Sequence, residues 1–281
     1  MESAEYEIFK QRIRDYMLKA AREGKVNTSW ISPNIPYEEA LLKFADAILS
    51  PAPGNPFVED FKVFQGKIAY HGMFNSLSQA LLKMTSPGIP DFYQGTEVWD
   101  FNLVDPDNRR PVDFHLRKEL LATLKRRIQE SGRDLHESVR SLLHEWKDGS
   151  PKLYVTFKAL NYRRQNPLLF LEGSYVSLGA EGDLKEHVCA FARQKEERIV
   201  LVIVPRFLAC LLEDTQAMPL GKETWGDSGI ILPGEISGRR FLNIFTGETV
   251  GKVSRNGEGL LPLSEVFASF PVAMLEQVQG E

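Results

Sequence analysis

The sequence predicts an α/β chain in two parts, a mostly helical one over residues 1–165 and an all-β one over residues 166–281. Three observations carry this prediction. Apolar residues recur at three- and four-residue steps up to about residue 160 and in short strand-like runs after it. Asn166-Pro167 stands at the change, where proline's fixed φ and missing N–H punctuate the chain. Within the helical part, MTSPGIPDFYQGTEVWDFNLVDPDNRRPVDF (Met84–Phe114) fits neither period for most of its length.

The first helix is expected over residues 1–23, where Tyr6, Phe9, Ile13, Tyr16, Met17 and Ala20 form one stripe and Gly24 is placed to end it. That stripe needs a partner surface, inside this chain or outside it. Asn27-Thr28-Ser29-Trp30 is a short polar connection, in which Lys25 and Trp30 read as structural support. Pro36 suits the first turn of a second helix, with Asn34 or Ser32 near its cap; Ala40, Leu41, Phe44, Ala45 and Ile48 give its buried face. PAPGNP at Pro51–Pro56 is a hard break. A third helical region, Val58–Met84, carries Phe61, Phe64, Ile68, Leu77, Leu81 and Leu82, with Gly66 and Gly72 as candidate division points. Beyond Phe114, Leu116, Leu120, Leu121, Leu124 and Ile128 mark a helix ended near Gly132. Leu135, Val139, Leu142 and Leu143 mark another, and Val155, Phe157 and Leu160 a last short one. Then Leu168–Phe170, Tyr175–Leu178, His187–Phe191, Ile199–Val204, Ile230–Leu232, Phe241–Phe245, Leu260–Leu263 and Val272–Leu275 read as strands between Gly, Asn and acidic turns. That density of short strands suggests a β-sandwich.

The stretch from Met84 to Phe114 holds the chemistry. Pro87-Gly88 and Pro90 break the preceding helix, and Ile89, Phe92 and Tyr93 suffice for one brief buried strand. Gly95 follows, a position suited to positive φ. Glu97, Asp100, Asp105, Asp107, Asn108, Arg109, Arg110 and Asp113 then crowd in, interleaved with Trp99 and Phe101. The run is too aromatic for a solvated linker and too charged for core. Carboxylates, guanidinium groups and flat rings together suit a sugar, and equally a phosphate or a protein partner. Arg109 and Arg110 are the sharpest candidates for ligand contact, since a planar fork of donors matches vicinal hydroxyls or a carboxylate. The competing reading is internal pairing with Asp105, Asp107 or Asp113, which would brace the loop. Tyr93 and Trp99 are candidate stacking rings, Tyr93 weighing more heavily as core. Gln94, Glu97, Asp107 and Asn108 complete the candidate set, with Glu97 read as a carboxylate tying down the loop. His71 reads as a hydrogen-bonded structural residue.

Composition excludes several classes. Net charge is −4, from 34 basic and 38 acidic residues, so no basic excess draws in nucleic acid. Cys189 and Cys210 read as buried free thiols. No C-x-x-C or H-E-x-x-H spacing supports a metal site. MESAEYEIFK has no apolar core of a signal peptide, and the apolar runs are too short to span a bilayer. No membrane partner is expected, and a cytoplasmic location is the default.

At this point the residues carry a resemblance. GIPDFYQGTE is similar to the end of the eighth barrel strand in the α-amylase superfamily, and VWDFNLVDPDNRRPVDF resembles, more narrowly, the maltooligosyl trehalose synthase family. MLKAAREGKVNTSW, FNSLSQALLKMTSPG and FTGETV agree with it. The resemblance covers nearly the whole chain. It implies that residues 1–165 are the C-terminal part of a catalytic (β/α)8 barrel, with helical insertions and the last barrel strand, and that 166–281 are its C-terminal β-sandwich domain. Gln94 and Glu97 would then lie at the face where such barrels keep their active sites. The implied reaction is an intramolecular transglycosylation that converts the reducing-end α-1,4 link of a maltooligosaccharide to an α,α-1,1 link, without metal or organic cofactor. The superfamily's catalytic carboxylates lie on earlier barrel strands, and the third aspartate follows a histidine. Here His71, His115, His136, His144 and His187 are each followed by another residue, so no catalytic residue is expected. The chain is expected to be a C-terminal portion, from a truncated gene product or a split enzyme. Its partner would be the missing N-terminal barrel segment, and one Arg of the pair would face sugar. Two alternatives stay open: another transglycosidase or hydrolase of the superfamily, and a non-catalytic glucan-binding protein.

Overall fold

The computed structural model describes residues 3–132, 135–212, 217–234, 236, 239–251, 253–255 and 258–278. The chain divides by its contacts into two units, residues 1–69 with 101–112, and residues 70–100 with 113–281.

In the first unit, α1 (Ser3–Gly24) packs against α2 (Ile35–Ile48). The Tyr6 hydroxyl donates to Leu49 O at 2.9 Å, and Arg14 pairs with Asp46. The predicted cap of α2 is present, but its predicted buried face is not: Ala45 is buried, Leu41 and Ile48 are half-buried, and Ala40 and Phe44 are exposed. Asn34 accepts from Tyr37 N, and Pro36 sits in the first turn, where its missing N–H costs nothing. The PAPGNP break is held by the Asn55 side chain, which donates to Ile48 O and Ser50 O at 3.1 and 2.9 Å. Next, α3 (Pro56–Thr85) runs for 30 residues without interruption. Neither Gly66 nor Gly72 divides it: a helical glycine costs about 1 kcal/mol against alanine but keeps its N–H, so the ladder continues.

The second unit holds the last part of α3, then α4 (Phe114–Ser131), α5 (His136–His144), α6 (Ser150–Gln165) and α7 (Pro167–Leu171). Its strands are β1 (Ser174–Ser177), β2 (Ala180–Glu181), β3 (Val188–Lys195), β4 (Arg198–Pro205), β5 (Gly229–Leu232), β6 (Phe241–Asn243), β7 (Thr249–Val250), β8 (Val253–Arg255), β9 (Glu258–Pro262) and β10 (Ala273–Gln277). Among the described residues they form two antiparallel sheets, β1-β3-β4-β10-β6-β7 and β2-β5-β9-β8. The IVLVIV run of β4 is buried along its length, because the six-stranded sheet is covered on both faces. Val200, Val202 and Val204 join Leu77, Leu81, Leu142 and Tyr154 of the helices in one core. Ile199, Leu201 and Ile203 join Ile230, Leu232 and Leu261 of the other sheet in a second.

Other expectations of local structure fail as well. Ile89–Tyr93 forms no strand, and Ile89 is 87% exposed. A strand needs a neighbour to share its backbone hydrogen bonds; no described strand lies beside this one, and Pro90 removes a donor. Leu168–Phe170 is helical, since Pro167 at the first position presets φ for a helix. Both thiols are free as expected, but Cys210 is exposed and Cys189 only half-buried.

Candidate functional site

The sequence-predicted contact residues fall in both units. Asp107, Asn108, Arg109 and Arg110 belong to the first; Tyr93, Gln94, Glu97 and Trp99 belong to the second.

In the first unit the chain beyond Phe101 closes into a 3-10 turn at Asp107–Arg109. Asp107 anchors it. Arg12 of α1 donates from Nε and Nη2 to the two carboxylate oxygens, both at 2.8 Å. Leu103 N donates to the same carboxylate at 2.7 Å, and Arg110 Nε lies 3.1 Å from it. The Arg12 hydrogen bonds, with the Leu103 amide and the charges of Arg12 and Arg110, push the carboxyl down to about 2 against the opposing effect of burial. Arg12 also takes Phe101 O at 2.8 Å, and Lys19 donates to Asp105 O. Arg110 reaches Asp107 O and the Asn102 side chain, so it braces the loop. Arg109 pairs with Asp105, yet its side chain is 70% exposed. Asn108 Oδ1 is buried and accepts no hydrogen bond from a described residue. Between α1 and the loop lies a cavity of about 250 Å³. Its α1 wall was missed by sequence reasoning. The available signal is spacing: Arg12, Tyr16 and Lys19 are four and three residues apart, hence on one helical face.

In the second unit, Gln94–Glu97 form a turn with Gly95 at φ 89°, the backbone freedom expected of that glycine. Arg117 of α4 holds it, donating to Gly95 O at 2.6 Å and to Glu97 at 3.2 Å. Trp99 is half-buried, and its indole N–H donates to Trp146 O. Gly149, at φ 83°, precedes α6; a Cβ there would lie 2.6 Å from Val98 Cβ, so only glycine lets Val98–Trp99 lie against the helix start. Lys83 stands 3.9 Å from the Phe92 ring centroid. Tyr93, weighed as core, is 46% exposed, and Gln94 is exposed. Lys152 of α6 is pushed down by burial and then by Lys83, with Asp100 and Glu97 opposing; nothing in its sequence position advertised this.

His71 Nδ1 is buried without a described hydrogen-bond partner, unlike the hydrogen-bonded histidine expected. Trp30 is 56% exposed, with the Arg22 guanidinium 4.9 Å from its ring. Arg22 forks onto Glu38 at 2.9 and 2.7 Å, and Thr28 donates to the same carboxylate. Those bonds hold the Glu38 carboxyl at about 2. Among the described residues no group of three His, Cys, Asp or Glu side chains is arranged to hold a metal, and no helix is long and apolar enough to cross a membrane.

No protein-family model matches the chain. Over 267 residues it is 32% identical to a Mycobacterium tuberculosis H37Rv protein described as "Putative maltooligosyl trehalose synthase", a match covering 94% of this chain and 28% of that protein. In structure it is similar to maltooligosyltrehalose synthase from Arthrobacter ramosus, with a TM-score of 0.72 and 31% identity over 96% of this chain and 30% of that one. It is also similar to the Sulfolobus tokodaii "hypothetical maltooligosyl trehalose synthase", with a TM-score of 0.62 and 29% identity over 95% and 29%. The chain spans less than a third of the length of these relatives. What it matches is a C-terminal portion of them.

Proposed function

We propose that this chain is the C-terminal portion of a maltooligosyl trehalose synthase and supplies the part of the site that holds the glucose being transferred. The observation that carries the reading is the agreement of sequence and backbone with such enzymes along nearly all of the chain. Residues 1–165 would complete a (β/α)8 barrel and residues 166–281 would form its β-sandwich. The partner would be the barrel segment that this chain does not span, and the ligand a maltooligosaccharide.

In the proposed reaction, a carboxylate of the partner segment attacks C1 of the penultimate glucosyl unit. An acid gives its proton to the departing O4 of the terminal glucose. The freed glucose then turns. Its anomeric hydroxyl attacks C1 of the glycosyl-enzyme, returns a proton to the same acid/base, and releases the nucleophile. Water competes at this second step, so the site must hold the glucose and exclude solvent. The loop over residues 101–112 suits both needs. Asp107 pins it to α1, Arg110 stiffens it, and Arg109 is left with an exposed guanidinium.

The test is a chimera in which this chain replaces the matched portion of the Arthrobacter ramosus enzyme. Maltopentaose is expected to lose its reducing end without comparable release of glucose, while the chain alone leaves it unchanged. A folded chimera that only hydrolyses, or that binds maltopentaose without turnover, overturns the reading in favour of a hydrolase or a glucan-binding module respectively. Within an active chimera, Arg109→Ala is expected to shift the outcome toward free glucose. One charge-assisted hydrogen bond, roughly 1.5–3 kcal/mol, is worth about one to two decades in the transfer step.

A further inference from the structure

The loop motif is only half of a pocket; the other wall comes from α1, which no part of the motif includes. Asp15, Tyr16 and Lys19 face Val104, Pro106 and Arg110 across the cavity of about 250 Å³. This volume falls below the ~300–1,000 Å³ typical of drug-sized ligand sites, so the space takes one small ring rather than a chain. The walls carry both signs in equal number. Arg12, Lys19 and Arg110 are matched by Asp15, Asp105 and Asp107, and Asp107 stays ionised because Arg12 holds its carboxyl so low. An anion such as phosphate would meet as much repulsion as attraction there. A neutral ligand with many hydroxyls would find carboxylate acceptors and cationic donors together. The Tyr16 ring, 39% exposed, and the apolar faces of Val104 and Pro106 add flat and apolar surface to the same walls. Arg12 is committed to Asp107 and Phe101 O; Lys19 spends one donor on Asp105 O and Asp15 one acceptor on the Gln11 amide, so the remaining donors of Lys19 and acceptors of Asp15, with the Tyr16 ring, are what α1 offers a ligand.

We infer that Asp15, Tyr16 and Lys19 form the second wall of a site for a single neutral hexose unit and set its selectivity against charged sugars. The assignment of this unit to the transferred glucose rests on the function proposed above; the pocket and its preference do not.

The experiment uses the full chain and methyl α-D-glucoside as probe, with glucose 6-phosphate and inorganic phosphate as competitors, read by amide chemical-shift perturbation. Saturable shifts at Tyr16, Val104 and Asp107 are expected with the glucoside and not with phosphate, and glucose 6-phosphate is expected to bind at least fivefold more weakly. Asp15→Asn and Tyr16→Leu should each raise the glucoside Kd at least fivefold with the melting temperature kept. Absence of saturable shifts in the folded chain at 50 mM glucoside (about the upper reach of millimolar binding), or tighter binding of phosphate at these amides, overturns the inference. Glucoside binding beside an inert chimera defeats the proposed function and leaves the hexose site standing. An active chimera whose chain ignores the glucoside does the reverse.

Discussion

Arg193 is 1% exposed, and the partners of its guanidinium are backbone carbonyls: Thr85 O, Phe170 O, Gly173 O and Ser174 O at 2.8–3.2 Å. They include the ends of α3 and α7, where carbonyls lack helical partners and the dipole is negative. The cation is thus balanced by peptide dipoles. Arg163 does the same for Met84 O and Gly88 O, so two guanidinium groups fix where the loop leaves α3. Neither role is legible in the sequence. Arg193 stands in CAFARQK as a polar residue in a strand, and only the register of β3 with its covered face shows that it points inward. Lysine cannot reproduce the fork. Arg193→Lys should lose at least two such bonds, or about 3 kcal/mol at roughly 1.5–3 kcal/mol each, in a urea titration. A change under about 0.5 kcal/mol, the size of a surface substitution, would show that the carbonyls find other donors.

Helices with one apolar face, such as α1, α2, α4 and α5, are legible in the sequence, because apolar residues at three- and four-residue steps keep the helical period. By contrast α6 reads as shorter than it is. Leu153, Tyr154, Val155, Thr156, Ala159 and Tyr162 are buried around most of its circumference, which erases the period. The unbroken apolar run Leu168–Leu171 in α7 carries no period at all, and the pairing of β10 between β4 and β6 follows from tertiary packing that no local pattern encodes. The candidate loop is legible as a loop, with its anchoring residue on a helix about 95 positions earlier hidden. Where α1 and α2 join, Glu38 makes a pH-dependent tie. Its folded pKa, about 2, lies below the ordinary 4.5, so its stabilisation is complete above about pH 4.5 and drains away as pH falls toward 2. Asp107, about 2 against 3.8, acts in the same direction and window. The melting temperature of Glu38→Gln should therefore fall well below that of the parent at pH 7 and approach it near pH 2. A gap that stays constant across this window would show that the carboxylate's charge is not what ties the helices.

At the scale of the molecule, much apolar surface faces solvent. Phe57, Phe61, Phe64 and Ile68 recur along one side of α3 at 43–58% exposure, the first two rings stacked 5.6 Å apart, and Ile31 is 96% exposed. Surface of this extent marks an interaction face, which agrees with a chain spanning under a third of its relatives' length. The isolated protein is expected to bind a hydrophobic dye and to self-associate in light scattering. A dye-silent monomer would count against the missing-partner reading. The strand β4 has the opposite character, with both faces in a core and both edges occupied, by β3 and β10. Its amides have no route to water short of unfolding the whole second unit. Deuterium uptake at Val200–Ile203 is therefore an internal clock for global opening, and exchange at Asp107 or Tyr16 that runs ahead of it measures motion belonging to the first unit.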